Sequence, residues 1–146
     1  SQAVAQMWTR IGVRTQVEAL PWTGFVPRRA RIEYAMQLGA WGSSTGEGSN
    51  FLVNTVATNN RQRLTGANNN ARFSSPVFDA LAARGSATLD DAAREAIWRE
   101  AVALYAEEQP LIQLVQYINT WAVRRGLTHD PRMDERTIAM GVRQAR

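Results

Sequence analysis

"EYAMQLGAWGSSTGEG", residues Glu33 to Gly48, decides how the chain is read. Tyr34, Met36 and Leu38 alternate with Ala35 and Gln37, the period of a strand with one buried face. The run ends in Trp41 and gives way to glycines and hydroxyls. A strand that ends on an aromatic and opens into such a loop is how α/β sheets present a ligand crevice. Ser43, Ser44 and Thr45 can donate and accept hydrogen bonds, Glu47 can meet a cation, and Trp41 offers an apolar wall. The plainer alternative is that Trp41 belongs to the core and the loop is solvated.

Upstream, Val4, Met7, Trp8 and Ile11 fall at i, i+3, i+4 and i+7, which predicts an amphipathic helix capped by Gly12. Val13, Thr15, Val17 and Ala19 then alternate with polar residues, so a strand is expected from Val13 to Leu20. Trp22 to Arg31 has an uneven helical pattern, with Pro27 expected in the first turn, where its missing N–H is harmless.

Downstream, residues 42–76 are rich in Gly, Ser, Thr and Asn, a stretch long enough to be functional, with a short helix around 51–56. Pro76 to Ala87 reads as a helix. Thr88 and Asp91 have the spacing of a capping box at the head of the clearest helix in the chain. Ala93, Ile97, Ala101 and Leu104 are its expected buried stripe, and Glu95 with Arg99 is a favourable i, i+4 pair. Pro110 stops that helix, and Leu111 to Val123, rich in branched and aromatic residues, is expected to hold one or two strands. Asn69, within the polar stretch, is a further candidate for the pocket. Helices and strands alternate, so the fold class is α/β.

Composition narrows the function. The 146 residues, 45% hydrophobic and 21% charged, fit one ordinary globular domain. The chain opens inside a helical pattern without a leader, which reads as a fragment or a processed piece. Cysteine is absent, so disulfides, thiolate metal sites and cysteine nucleophiles are excluded. All 17 basic residues are Arg, and the formal net charge is +4. They form no long stripe with interleaved aromatics, so nucleic acid is not an expected partner. Without Lys the glycine-rich loop is no phosphate-binding P-loop, and Phe51 stands where a dinucleotide fingerprint needs its third Gly. One His and scattered carboxylates make no metal-ligand set, and no cofactor is implied.

An enzymatic alternative starts from the same loop. Gly42-Ser43-Ser44-Thr45-Gly46 fits G-x-S-x-G, and the order Ser44, Asp79 or Asp90, His129 is that of an α/β-hydrolase triad. The elbow needs a helix directly after the serine, however, and Gly46 and Gly48 weaken one there. His129 stands in Thr128-His129-Asp130-Pro131, which reads as a solvated polar turn. Binding, without catalysis, is the better reading.

Several stretches resemble, in order, the carboxy-terminal part of family 5 extracellular solute-binding proteins, the peptide- and oligopeptide-type receptors of bacterial ABC importers. They are Met7-Trp8-Thr9-Arg10-Ile11-Gly12-Val13 with Glu18-Ala19-Leu20-Pro21-Trp22, and Leu38-Gly39-Ala40-Trp41-Gly42 leading to Asn50-Phe51-Leu52. Asn69 through Arg72-Phe73-Ser74-Ser75-Pro76 to Asp79-Ala80-Leu81 is similar to another family signature. Pro110-Leu111-Ile112-Gln113-Leu114, Asn119 to Gly126, and Thr137-Ile138-Ala139-Met140 look like its closing segments. The resemblance implies a lobe of a type II periplasmic-binding-protein-like fold, a central β-sheet flanked by helices, with the first lobe missing. Residues 1–117 would form most of the second lobe, and 118–146 would cross the hinge and belong partly to the missing first lobe. It further implies a periplasmic or lipid-anchored cell-surface receptor that hands a small solute to a membrane permease. Exposed apolar surface is expected where the other lobe packs, with a dimer of the fragment as one way to cover it. One position departs from the family. Where dipeptide-type members carry an Asp for the ligand's amino terminus, this chain has Ser44, and the nearest acid in sequence is Glu47.

Overall fold

A computed structural model describes residues 1–43 and 45–145, and the main chain divides into two units, Ser1–Ala40 and Trp41–Arg146.

In the first unit α1 spans Gln2–Arg10, with Arg10 in its last turn, where a cation suits the helix dipole. Gly12 ends it as the spacing predicts. Its φ of 87° lets Gly12 N–H reach Thr9 O at 3.1 Å and Val13 N–H reach Trp8 O at 2.9 Å. Only Ala5 of α1 is buried; Met7 and Ile11, expected on the buried stripe, are exposed. The second helix, α2, spans Trp22–Ala30 and starts directly after Pro21. Pro27 therefore lies in the second turn, not the first, and removes one helical hydrogen bond. Aromatic and ionic contacts hold this region. Phe25 stacks between Trp22 and Tyr34, each at a centroid distance of 5.8 Å. The Arg28 guanidinium lies 4.8 Å over the Tyr34 ring and bridges Glu18 at 2.7 Å and Glu33 at 3.2 Å.

The second unit is built on two helices, α4 (Pro76–Ala87) and α5 (Asp91–Glu108), preceded by α3 (Ser49–Phe51), which runs into a π-helical turn at Leu52–Val56. Leu52, Val56 and Ala57 pack with Phe78, Leu81 and Ala82 of α4 and with Trp98, Ala101 and Tyr105 of α5. Of the stripe expected on α5, Ala101 is buried and Ile97 and Leu104 pack, partly buried, against the core. Ala93 is exposed, and Trp98 and Tyr105 face the core with Ala101, because the two large rings remove far more apolar area from water than an alanine does. The cap is also displaced. Asp90, not Thr88, is the N-cap: its carboxylate accepts from Ala93 N–H at 2.8 Å, while the Thr88 hydroxyl donates back to Arg84 O at 2.8 Å. Glu95 and Arg99 pair at 2.6 Å as their spacing predicts.

Among the described residues the only sheet is a two-stranded antiparallel one. Its strands β1 (Leu127–His129) and β2 (Val142–Gln144) pair Leu127 with Gln144 and His129 with Val142. The strands expected at 13–20, 34–38 and 111–123 are not formed, so no central sheet is present among the described residues. Alternation is necessary for a strand but not sufficient, because each N–H and C=O also needs a neighbouring main chain. These segments have no such neighbour among the described residues, and Val13, Met36, Leu38, Ile112, Leu114 and Ile118 in them are exposed, while Leu111 packs against the core. The architecture is mixed: helices with one small sheet. No described helix is long and apolar enough to cross a membrane.

Candidate ligand-binding site

Trp41 and the loop that follows it form one arrangement within the second unit. Trp41 is 39% exposed, and its indole N–H donates to Asn50 Oδ1 at 3.2 Å. Its other contact is edge-on with Phe51 at 6.4 Å, and Phe51 in turn meets Tyr105 of α5 edge-on at 5.7 Å. An aromatic relay thus ties a half-open indole to the core. Trp41 is therefore neither fully core nor free, which is the state a pocket wall needs.

The loop closes on itself. Ser43 Oγ donates to Glu47 O at 2.9 Å and lies 3.3 Å from Thr45 Oγ1, which accepts from Glu47 N–H at 3.3 Å. Each hydroxyl keeps unused lone pairs for a solute atom. Ser44 lies outside the described residues. Glu47, expected to meet a cation of the ligand, already has one: its carboxylate lies 3.4 Å from Arg94 of α5, which also holds Asp91 at 2.6 Å.

A carboxylate that the sequence did not single out lies over the loop. A Cβ added to Gly42 would stand 3.0 Å from Glu135 Oε1 and 3.3 Å from Oε2, and one added to Gly46 would stand 2.6 Å from Met133 Cε. The segment 132–136 is thus laid across the loop. Its turn is set by Arg132, whose guanidinium donates to both Asp134 oxygens, at 2.8 and 2.5 Å. Arg132 holds the Asp134 carboxyl down to about 2, chiefly through that hydrogen bond. No sequence pattern announces the contact between Glu135 and Gly42; the one usable signal was a glycine directly after an aromatic.

Asn69, expected to contribute to the pocket, faces inward instead. It is 6% exposed, and its amide donates to Ala57 O at 2.9 Å, Phe73 O at 2.7 Å and Val56 O at 3.3 Å, while Oδ1 accepts from Phe73 N–H at 3.2 Å. Fully engaged with main chain, it clamps the 57–73 loop and leaves nothing for a solute.

The groups of the alternative triad are occupied elsewhere. Asp79 accepts from Thr58 N–H at 2.8 Å, and Asp90 caps α5. His129 is not in a solvated turn but in β1, its ring tilted against Trp121 at 5.6 Å, and both ring nitrogens are buried without a partner among the described residues. A base needs an orienting hydrogen bond and a nucleophile within reach. His129 has no orienting hydrogen bond among the described residues.

An open indole beside a hydroxyl loop and a carboxylate is equipped to hold a polar solute, and the chain's relatives are proteins of that class. No family model matches the chain. It is 23% identical over 128 residues to the di/tripeptide-binding protein 2 of Pseudomonas aeruginosa, covering 88% of this chain and 24% of that protein. It is 26% identical over 123 residues to the periplasmic oligopeptide-binding protein OppA of Salmonella typhimurium, 84% of this chain and 21% of the relative. With the periplasmic murein peptide-binding protein MppA of Escherichia coli it shares 26% over 118 residues, 80% and 21%. The resemblance to peptide-type solute-binding proteins is borne out, and the chain spans about a fifth to a quarter of the length of these relatives.

Proposed function

We propose that the chain is part of the substrate-binding component of an ABC importer, a receptor that captures a peptide-like solute outside the cytoplasmic membrane and delivers it to a permease. The observation that carries this reading is similarity across four-fifths or more of the chain to proteins named for binding peptides. In this reading residues 1–117 contribute most of the second lobe, and 118–146 cross the hinge. The unpaired segments at 13–20, 34–38 and 111–123 find their partners in the lobe's sheet, which accounts for their exposed apolar side chains. Trp41 walls the pocket, while Ser43, Thr45 and, from its place in the sequence, Ser44 bond polar atoms of the solute. Solute contacts with both lobes favour the closed receptor in proportion to the difference in affinity between open and closed states. The protein acts in the periplasm or at the cell surface and performs no catalysis.

Native mass spectrometry of the full-length protein, purified gently from its own cells, tests the reading. A small non-covalent mass that disappears with Trp41→Ala supports it. No bound mass, with an ester-cleaving activity abolished by Ser44→Ala, overturns it in favour of a hydrolase.

A further inference from the structure

We infer that Glu135 is the anionic anchor of this site: its carboxylate, laid against Gly42 beside Trp41, binds a primary ammonium group of the solute. The inference rests on the receptor reading above and deepens it by naming the ionic group at the site.

Three observations carry it. First, the carboxylate is placed rather than merely nearby. Its oxygens and Cδ lie 3.0–3.3 Å from where a Gly42 Cβ would stand, so the absent side chain is what admits it. Met133 against Gly46 and the fork between Arg132 and Asp134 fix the segment on either side. Second, it is uncommitted. The chain's arginines hold Glu47, Asp91, Asp130 and Asp134, yet among the described residues no cation pairs with Glu135. Glu47, the acid nearest in sequence, is unsuited to the same task because Arg94 already neutralises it. Third, what surrounds the carboxylate suits a cation. Gly42 adjoins Trp41, a partly exposed residue whose indole attracts a cation lying over its ring within about 6 Å of the centroid. The Ser43 and Thr45 hydroxyls on the same loop offer lone pairs to the remaining N–H donors. An anionic solute would meet an unpaired carboxylate here and be repelled.

The test offers the full-length protein a casein hydrolysate and the same hydrolysate fully acetylated at its amines, and reads the retained masses. Wild type is expected to enrich free-amine peptides over their acetylated forms. Glu135→Gln, at an exposed side chain with no partner to lose, should fold normally and lose about tenfold in affinity for the free amines while its binding of acetylated peptides is unchanged. Gly42→Ala, which displaces the carboxylate, should act in the same direction, and Trp41→Ala should weaken both classes. A Glu135→Gln protein that keeps the wild-type preference overturns the inference, as does one that loses both classes equally. Wild type that retains acetylated peptides as well as free ones overturns the inference alone. Wild type that retains neither overturns the peptide-type receptor reading and the inference together.

Discussion

Gly85 of α4 lies directly under the Trp98 ring of α5: a Cβ placed on Gly85 would stand 2.6 Å from Trp98 Cζ2 and 2.7 Å from Cε2. The two helices that carry the core approach this closely only because the residue at the crossing has no side chain. Gly85→Ala should therefore destabilise the protein by about 1–3 kcal/mol through overpacking, despite the roughly 1 kcal/mol that alanine gains over glycine inside a helix. Gly24→Ala in α2, where nothing lies within 4 Å, isolates that gain and should stabilise by about 0.5–1 kcal/mol. Urea unfolding of both variants decides the matter; equal stabilisation would mean that Trp98 does not rest on Gly85.

Asn69 supplies the second prediction. Removing its amide leaves the carbonyls of Val56, Ala57 and Phe73 and the Phe73 N–H without their partner in a buried place. Asn69→Ala should cost about 2–4 kcal/mol of stability. Asn69→Asp should fare no better, because a carboxylate cannot donate to those carbonyls. The check pairs a denaturation midpoint with solute affinity of the folded protein. Lowered affinity at unchanged stability would return Asn69 to the binding surface.

These two residues show what the sequence made legible and what it did not. The periodic stretches at 2–10, 76–87 and 91–108 were readable because a helix satisfies its own backbone, so the local pattern is nearly enough to specify it. The stretches at 13–20, 34–38 and 111–123 alternate like strands, but a strand is completed by another chain segment that the pattern does not name. On α5 the core face is legible at Ile97, Ala101 and Leu104, but counting apolar residues weighs the exposed Ala93 as heavily as the buried Trp98. Trp41, Ser43 and Thr45 are readable as candidates because an aromatic and a hydroxyl-rich loop are contiguous in the sequence. Glu135 is not, since it reaches the loop through the fold alone, and neither is the capture of Glu47 by Arg94.

The displaced cap is open to a direct test. Asp90→Ala removes the acceptor for Ala93 N–H and a negative charge at the start of α5, and should cost about 1 kcal/mol, with Asp90→Ser restoring most of it. Thr88→Ala loses only an exposed bond to Arg84 O and should cost about 0.5 kcal/mol or less. The reverse order in thermal unfolding would restore the capping box to Thr88. A loss of solute binding rather than stability in Asp90→Ala would bring Asp90 back into the functional chemistry.

The turn that presents Glu135 carries its own pH dependence. Asp134 accepts from the Arg132 guanidinium and from Arg136 N–H, and chiefly through the former its carboxyl is lowered to about 2. A carboxyl depressed on folding stabilises the folded form above its unfolded value, about 3.9, and that contribution is lost as pH falls through the folded value. The 132–136 turn should therefore keep its geometry down to about pH 4 and loosen between there and pH 2. In NMR titration the Asp134 side-chain carbon and the Arg136 amide should move together in that window, and Arg132→Gln should shift both transitions upward towards the ordinary carboxylate range. Since Glu135 is carried on this turn, Arg132→Gln should also weaken any preference for free-amine peptides at neutral pH, while leaving the unfolding midpoint of the α4–α5 core unchanged. An Asp134 that titrates near 4 in the intact protein would show that the Arg132 fork does not form, and with it would go the constraint that aims Glu135 at Gly42.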